Sequence, residues 1–205
     1  MNKATLIRRG RAHVFGDNVP LDEGVMAFKF AIGRVTDPAE LIPHLFEPIA
    51  PGFSSRVAKG DIVVAGAEFG CGKPHIQGFI AMAALEMGVV CGSIPYRALR
   101  GAVSRGLPIL TGFKPSPDWV INGDELEVDY QTGIVRNLSR DQVIRIDPMP
   151  QVLQGIISQG GARGQLMAWL SKHPEQRLPE NSPSVLLSGS TVNVVRKPTN
   201  TPISP

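Results

Sequence analysis

Residues 61–91 read DIVVAGAEFGCGKPHIQGFIAMAALEMGVVC, and the fold is decided there. Residues 61–65 follow Lys59-Gly60 and form a continuous apolar run, the pattern of a short strand buried on both faces. The run enters a glycine-rich turn, Gly66-Ala67-Glu68-Phe69-Gly70-Cys71-Gly72. The spacing then predicts a helix over 76–87, stopped by Gly88, and a second buried strand over 89–91. Strand, glycine loop, helix and strand make a βαβ unit, whose crossover implies parallel pairing. The chain is expected to be α/β.

Working outward, the unit repeats once: a helix over 96–105, a stop at Gly106 and a strand over 108–110. The texture then changes. Residues 125–129 and 134–137 flank Tyr130-Gln131-Thr132-Gly133 as a hairpin, and 143–146 is a third strand. Helices are expected over 151–158 and 162–170, on either side of Gly160-Gly161. Upstream, 11–15 is a strand candidate before the polar turn Gly16-Asp17-Asn18. Residues 37–46 read as a helix with Asp37 as N-cap and Pro38 in its first turn. One domain over 1–173 is expected, followed by an extension over 174–205. Six prolines in that extension argue against a packed element, although 185–187 and 192–195 could add short strands to a neighbour's edge.

Composition narrows the function classes. The chain has 205 residues, 42% hydrophobic and 19% charged, which suits a packed globular domain rather than a disordered one. Net charge is only +3 and no basic block stands out along the chain, so a nucleic-acid platform is disfavoured. Two cysteines, Cys71 and Cys91, build neither a disulfide framework nor a four-thiolate cluster, which points to a reducing, cytoplasmic setting. The basic N-terminus lacks the apolar stretch of a secretory signal. Residues 78–96 hold a single charge, Glu86, but Gly88, Gly92, Ser93 and Pro95 break the stretch into helix, turn and strand rather than a membrane span.

Chemistry concentrates in Phe69-Gly70-Cys71-Gly72-Lys73-Pro74-His75, between a buried strand and a helix N-terminus. Glycines there let backbone amides converge on an anion, and the helix end adds partial positive charge. Lys73 and His75 add cationic side chains. In open α/β sheets such a loop lies at the carboxyl ends of the strands, where ligands bind. A carboxylate or phosphate ligand is therefore expected on Gly70, Cys71 and Gly72. The spacing fits neither a P-loop nor a dinucleotide fingerprint.

Four segments in order resemble one family: VFGDNVPLD (14–22), GDIVVAGAEFGCG (60–72), GLPIL (106–110) and NGDELEVDYQTGIVRNL (122–138). Over 11–170 the chain is similar to the small, swivelling subunit of 3-isopropylmalate dehydratase, itself related to the fourth domain of aconitase. The resemblance implies a swivelling β/β/α domain that closes over a separate aconitase-like large subunit. It places a [4Fe–4S] cluster on that partner's cysteines and no cofactor or metal on this chain. The implied reaction removes and re-adds water on a small 2-hydroxy di- or tricarboxylic acid, with an iron ion as Lewis acid and a base from the small subunit. No membrane or nucleic-acid partner is implied.

Family members follow FGCG or FGTG with Ser-Ser-Arg and an acidic residue; the first serine is the base and the arginine forks a substrate carboxylate. Here Lys73, Pro74, His75 and Ile76 stand at those four positions. Asp17, Asn18 and Asp22 are retained as candidate substrate-binding residues, with Pro20 and Leu21 where the family has Asp and Thr. Residues 24–30 lack the proline-containing loop of isopropylmalate enzymes, so a changed substrate is expected. Lys73 or His75 would then supply the base or bind the acid's carboxylate. The alternative is a non-catalytic subunit that binds a carboxylate or stabilises a partner. Arg97, Arg100 and Arg105 read as a solvated or partner-facing surface, Cys91 as core, and His13, His44 and His173 as structural or exposed.

Overall fold

A computed structural model describes residues 6–176. Seven strands form one sheet in the order β4-β3-β2-β1-β5-β6-β7. The first four are β1 (Ile7–Val14), β2 (Ile62–Ala65), β3 (Gly88–Cys91) and β4 (Ile109–Leu110), all mutually parallel. The others, β5 (Glu125–Asp129), β6 (Ile134–Asn137) and β7 (Gln142–Arg145), run as an antiparallel meander. Six helices complete the described chain: α1 (Lys29–Ile32), α2 (Pro38–Leu41), α3 (Gln77–Ala84), α4 (Tyr96–Ser104), α5 (Gln151–Ser158) and α6 (Gly161–Lys172).

The apolar runs of β2 and β3 follow from burial on both faces. Val63 and Ala65 enter one core with Phe69, Phe79 and Met82. Their neighbours Ile62 and Val64 enter the other, with Val90, Leu126 and Tyr130. A period of two therefore serves two cores at once, and no polar position is left in the strand. The stretch over 78–96 resolves into α3, β3 and a turn. No described helix is long and apolar enough to cross a membrane.

β1 is longer than expected and has two partners. Ala12 to Val14 pair parallel with β2, whereas Ile7 to Arg11 pair antiparallel with β5. The first half carries three arginines and is largely solvated, so it lacks the apolar signal that marks a strand. At the join, Asp61 is buried and fully occupied. It accepts from the Arg11 and Ala58 amides at 2.9 and 2.8 Å and meets His13 Nε2 at 2.8 Å. His13 also lies edge-on to Phe53 at 4.7 Å, which fixes it as a structural residue.

The helix expected over 37–46 is shorter. Asp37 caps it as anticipated, accepting from the Ala39 amide at 2.9 Å. Beyond α2 the chain tightens into a 3-10 turn, Ile42–His44, where Pro43 removes an amide donor. The short α1 and a 3-10 turn at Phe53–Ser55 carried no sequence signal strong enough to predict them. The hairpin, its third strand and both late helices lie within two residues of the expected bounds. A 3-10 turn at Pro174–Gln176 closes the described chain, and the strands proposed over 185–187 and 192–195 lie outside the described residues.

One polar network sits at the meander's edge. Asn137 Nδ2 donates to Asp124 at 2.9 Å and to the Trp119 carbonyl at 2.6 Å, and Arg140 Nε donates to Asp124 at 2.8 Å. Desolvation pushes the Asp124 carboxyl up, but hydrogen bonds from Asn137, the Ile121 amide and Arg140 outweigh it and hold the group below its ordinary value. A carboxylate lowered on folding contributes stability that is present above the unfolded value, about pH 4, and lost as pH falls through the folded one. Asp124→Asn is therefore expected to be less stable than the parent at neutral pH. Urea unfolding should show the gap closing progressively below about pH 4.

Candidate functional site

β1 and β2 end side by side, and the two loops that follow stay paired. Gly66 N donates to the Gly16 carbonyl at 3.1 Å, Asn18 N to Ala67 at 2.8 Å, Gly70 N to Val19 at 2.7 Å and Leu21 N to Cys71 at 3.1 Å. The two loops thus extend the parallel strand pair beyond the sheet's carboxyl edge. Asp17 locks the start of this arm, its Oδ1 accepting from the Ala67 amide at 2.7 Å. Gly66 is required there, because a Cβ would overlap the Asp17 carboxylate. Gly70 and Gly72 turn the loop with φ of 78° and 84°, in the region that glycine reaches without strain.

The arm delivers His75 to Asp22, 53 positions earlier in the chain. His75 Nδ1 lies 2.8 Å from each Asp22 oxygen, and its ring tilts against Phe28 at 5.3 Å. Asp22 is itself fixed by a small turn: Met26 N donates to Leu21 at 3.0 Å and Glu23 N to Met26 at 2.9 Å. The His75 side chain remains 37% exposed, so the pair is held yet open to a ligand. With Nδ1 engaged, Nε2 makes no hydrogen bond to a described residue. A carboxylate behind one imidazole nitrogen sets the tautomer and orientation of the other, the arrangement that suits a positioned base.

The Lys73 side chain is exposed and makes no hydrogen bond or ion pair with a described residue, while its carbonyl accepts from the His75 amide at 2.9 Å. Cys71 is partly exposed, its backbone bridged to Pro20. Gly72 and Asn18 are exposed, whereas Gly70 is buried against Ala98 and Leu21. The structure thus brings together His75 and Asp22, with Lys73 two residues away on an open loop. Asp17 is engaged at the base of the arm instead. No side chain caps α3, and its first-turn residues Gln77, Gly78 and Phe79 are buried. Two contributors carried no signal in spacing: Phe28 under the imidazole, and Ser93. Ser93 Oγ accepts from the Glu68 amide at 2.8 Å and donates to the Glu68 carboxylate at 2.9 Å.

A separate crevice of about 790 Å³ runs along the carboxyl ends of β1 to β4, between Phe15, Asp17, Gly66, Ser93, Phe113 and Lys114. It shares the base of the arm, but neither Lys73 nor His75 lines it. The two thiols do not fit an iron–sulfur centre. Cys91 is buried in β3 and burial pushes its thiol up to about 12, while Cys71 stands on the loop. Among the described residues no group of three or more His, Cys, Asp or Glu is placed to hold a metal ion.

No protein-family model matches the chain. Curated relatives do. The small subunit 1 of 3-isopropylmalate dehydratase from Archaeoglobus fulgidus is 36% identical over 153 residues, 74% of this chain and 92% of that one. The 3-isopropylmalate dehydratase small subunit of Caldicellulosiruptor saccharolyticus is 36% identical over 157 residues, 76% of this chain and 88% of its own. A crystal structure of 3-isopropylmalate dehydratase (LeuD) from Methanocaldococcus jannaschii superposes with a TM-score of 0.73 at 27% identity, covering 83% of this chain and 99% of that one. The seven-stranded mixed sheet and its helices therefore have the architecture of that subunit, and the chain belongs to the family of 3-isopropylmalate dehydratase small subunits.

Proposed function

We propose that the chain is the swivelling subunit of a hydro-lyase that acts, with an aconitase-like large subunit, on a 2-hydroxy di- or tricarboxylic acid. Family membership supports the reaction class, and the His75–Asp22 pair is the observation that carries the assignment of roles. In this reading His75 Nε2 takes the proton beside the substrate carboxylate, with Nδ1 anchored on Asp22. Lys73, unpaired and mobile in its donors, supplies a point charge for a carboxylate, and the α3 N-terminus adds to it. Gly70, Cys71 and Gly72 shape the loop that holds these groups. The [4Fe–4S] cluster, which this chain's thiols do not fit, belongs to the large subunit, where it would supply Lewis-acid chemistry. The cytoplasm is the proposed compartment, consistent with two free thiols.

The substrate is proposed to differ from isopropylmalate, because the serine base and the arginine fork are both replaced. A lysine charge and an imidazole recognise a carboxylate less rigidly than a guanidinium fork does. The test is anaerobic reconstitution with the large subunit of the same organism, following unsaturated product by ultraviolet absorbance across a panel of hydroxy acids. Turnover of one of them is expected. Carboxylate binding with no turnover of any acid would replace this reading with that of a non-catalytic binding subunit.

A further inference from the structure

α4 presents an unusual face. Tyr96 is 71% exposed, and the Arg100 guanidinium sits 5.7 Å from the centre of its ring. Arg97 is exposed beside them. Across from α4, Leu153 and Ile156 of α5 and Ala162 and Gln165 of α6 leave a groove of about 740 Å³. The groove reaches Pro74, the residue between Lys73 and His75, and no acidic side chain lines it.

The absence of acid extends well beyond the groove. Residues 87–112 and 148–174 contain no Asp or Glu, yet they carry Arg97, Arg100, Arg105, Arg163 and Lys172. All five are exposed, and none makes an ion pair with a described residue. Two of the five, Arg97 and Arg100, line the groove itself. The helices that wall it also expose apolar side chains outside the groove: Val152 is 76% exposed, and Leu166, Met167 and Trp169 are about half exposed. A surface that combines free guanidiniums with a concave aliphatic floor is made for a partner that is both acidic and apolar.

We propose that the groove receives an acidic amphipathic segment of the large subunit, its carboxylates on Arg97 and Arg100 and its apolar side chains on Leu153 and Ile156. The proposal rests on the reading above that such a subunit is the partner, and it adds where and by what chemistry that partner docks. Charge complementarity selects this occupant. Residues 177–205 carry Arg177, Arg196 and Lys197 against Glu180 alone, the wrong sign for a basic groove. A second copy would bring an equally basic face. Nucleic acid would satisfy the arginines but leave the aliphatic floor uncovered. Because the groove ends at Pro74, a segment seated in it would lie against the loop that carries Lys73 and His75.

The test is calorimetric titration of the full chain with the purified large subunit of the same organism. Arg97→Glu combined with Arg100→Glu is expected to weaken binding about 10- to 100-fold. Arg97→Lys with Arg100→Lys should keep most of the affinity, and thermal melting confirms that each variant folds. Parent-like affinity in the glutamate variant overturns the groove as the docking site while leaving the hydro-lyase reading intact. Failure of the parent itself to bind removes that reading, and this inference with it. Self-association or RNA retention that the glutamate variant abolishes, with large-subunit binding unchanged, assigns the groove to another occupant and overturns the proposal.

Discussion

Replacing His75 with alanine is expected to lower kcat/KM of the reconstituted complex by about 10²- to 10⁴-fold, the range that a positioned general base contributes. The loss should fall mainly in kcat, because Lys73 and the loop amides, the proposed carboxylate binders, are untouched. In the proposed reading Asp22 acts through His75, and its replacement separates positioning from structure. Asp22→Asn keeps the size of the side chain but gives Nδ1 an amide in place of two carboxylate oxygens 2.8 Å away. An amide can donate to Nδ1 and favour the wrong tautomer, so a loss of about tenfold or more is expected. Nitrogen-resolved NMR of the imidazole gives a readout that a merely structural role would leave unmoved. The parent should show the proton on Nδ1 and a free Nε2, and Asp22→Asn should show a mixture. A parent-like tautomer in Asp22→Asn, or parent-like turnover in His75→Ala, would remove His75 as the base and return that role to Lys73.

How much of this site was legible in the sequence depends on how local each signal is. β2, α3 and β3 were readable because two buried strands and an apolar helix leave continuous runs, and Gly88 punctuates them. The glycine turn was readable for the same reason, since Gly70 and Gly72 set it over a few residues. Spacing alone could not reveal that His75 meets Asp22. The meeting depends on hydrogen bonds that keep 16–21 beside 66–71 after the strands end. Asp17 shows the converse. Sequence offers it as a ligand-binding carboxylate, and the fold spends one of its oxygens on the Ala67 amide. The first half of β1 was missed because it is itself largely solvated, and three arginines stand where apolar alternation would mark a strand.

Charge followed the same logic at longer range. Along the chain, 21 basic and 18 acidic residues look evenly mixed, and that balance argued against a nucleic-acid platform. Yet α4, α5 and α6 come from two separate stretches, and only their packing places two acid-free segments together. The balance of the whole chain and the imbalance along one groove, lined by Arg97 and Arg100 and by no acid, are both real. The second is a tertiary property, and it is the one a docking partner meets.

The largest effect on stability is expected at Gly88, remote from the loop. Gly88 opens β3 opposite Ile62, and its amide donates to the Asp61 carbonyl at 3.1 Å. A Cβ there would fall on the hydroxyl of Tyr130, a fully buried side chain from the hairpin on the far side of the sheet. The Tyr130 hydroxyl has no hydrogen-bond partner among the described residues, and burial pushes its ionisation well above the usual range despite the opposing charge of Arg8. It therefore contributes bulk without a compensating bond. Gly88→Ala is expected to cost about 3 kcal/mol, the upper part of the range for overpacking a rigid core. Tyr130→Phe alone should change stability by less than about 1 kcal/mol, since it removes an unsatisfied polar atom. Combined, the two should couple. Phenylalanine clears the hydroxyl but leaves ring carbons 2.7 and 3.1 Å from the new Cβ, so rescue is partial, about 1 kcal/mol or more in a urea double-mutant cycle. Strictly additive losses would mean that the strand shifts away from the hairpin instead, and that the contact between the parallel and antiparallel halves of the sheet is looser than its geometry indicates.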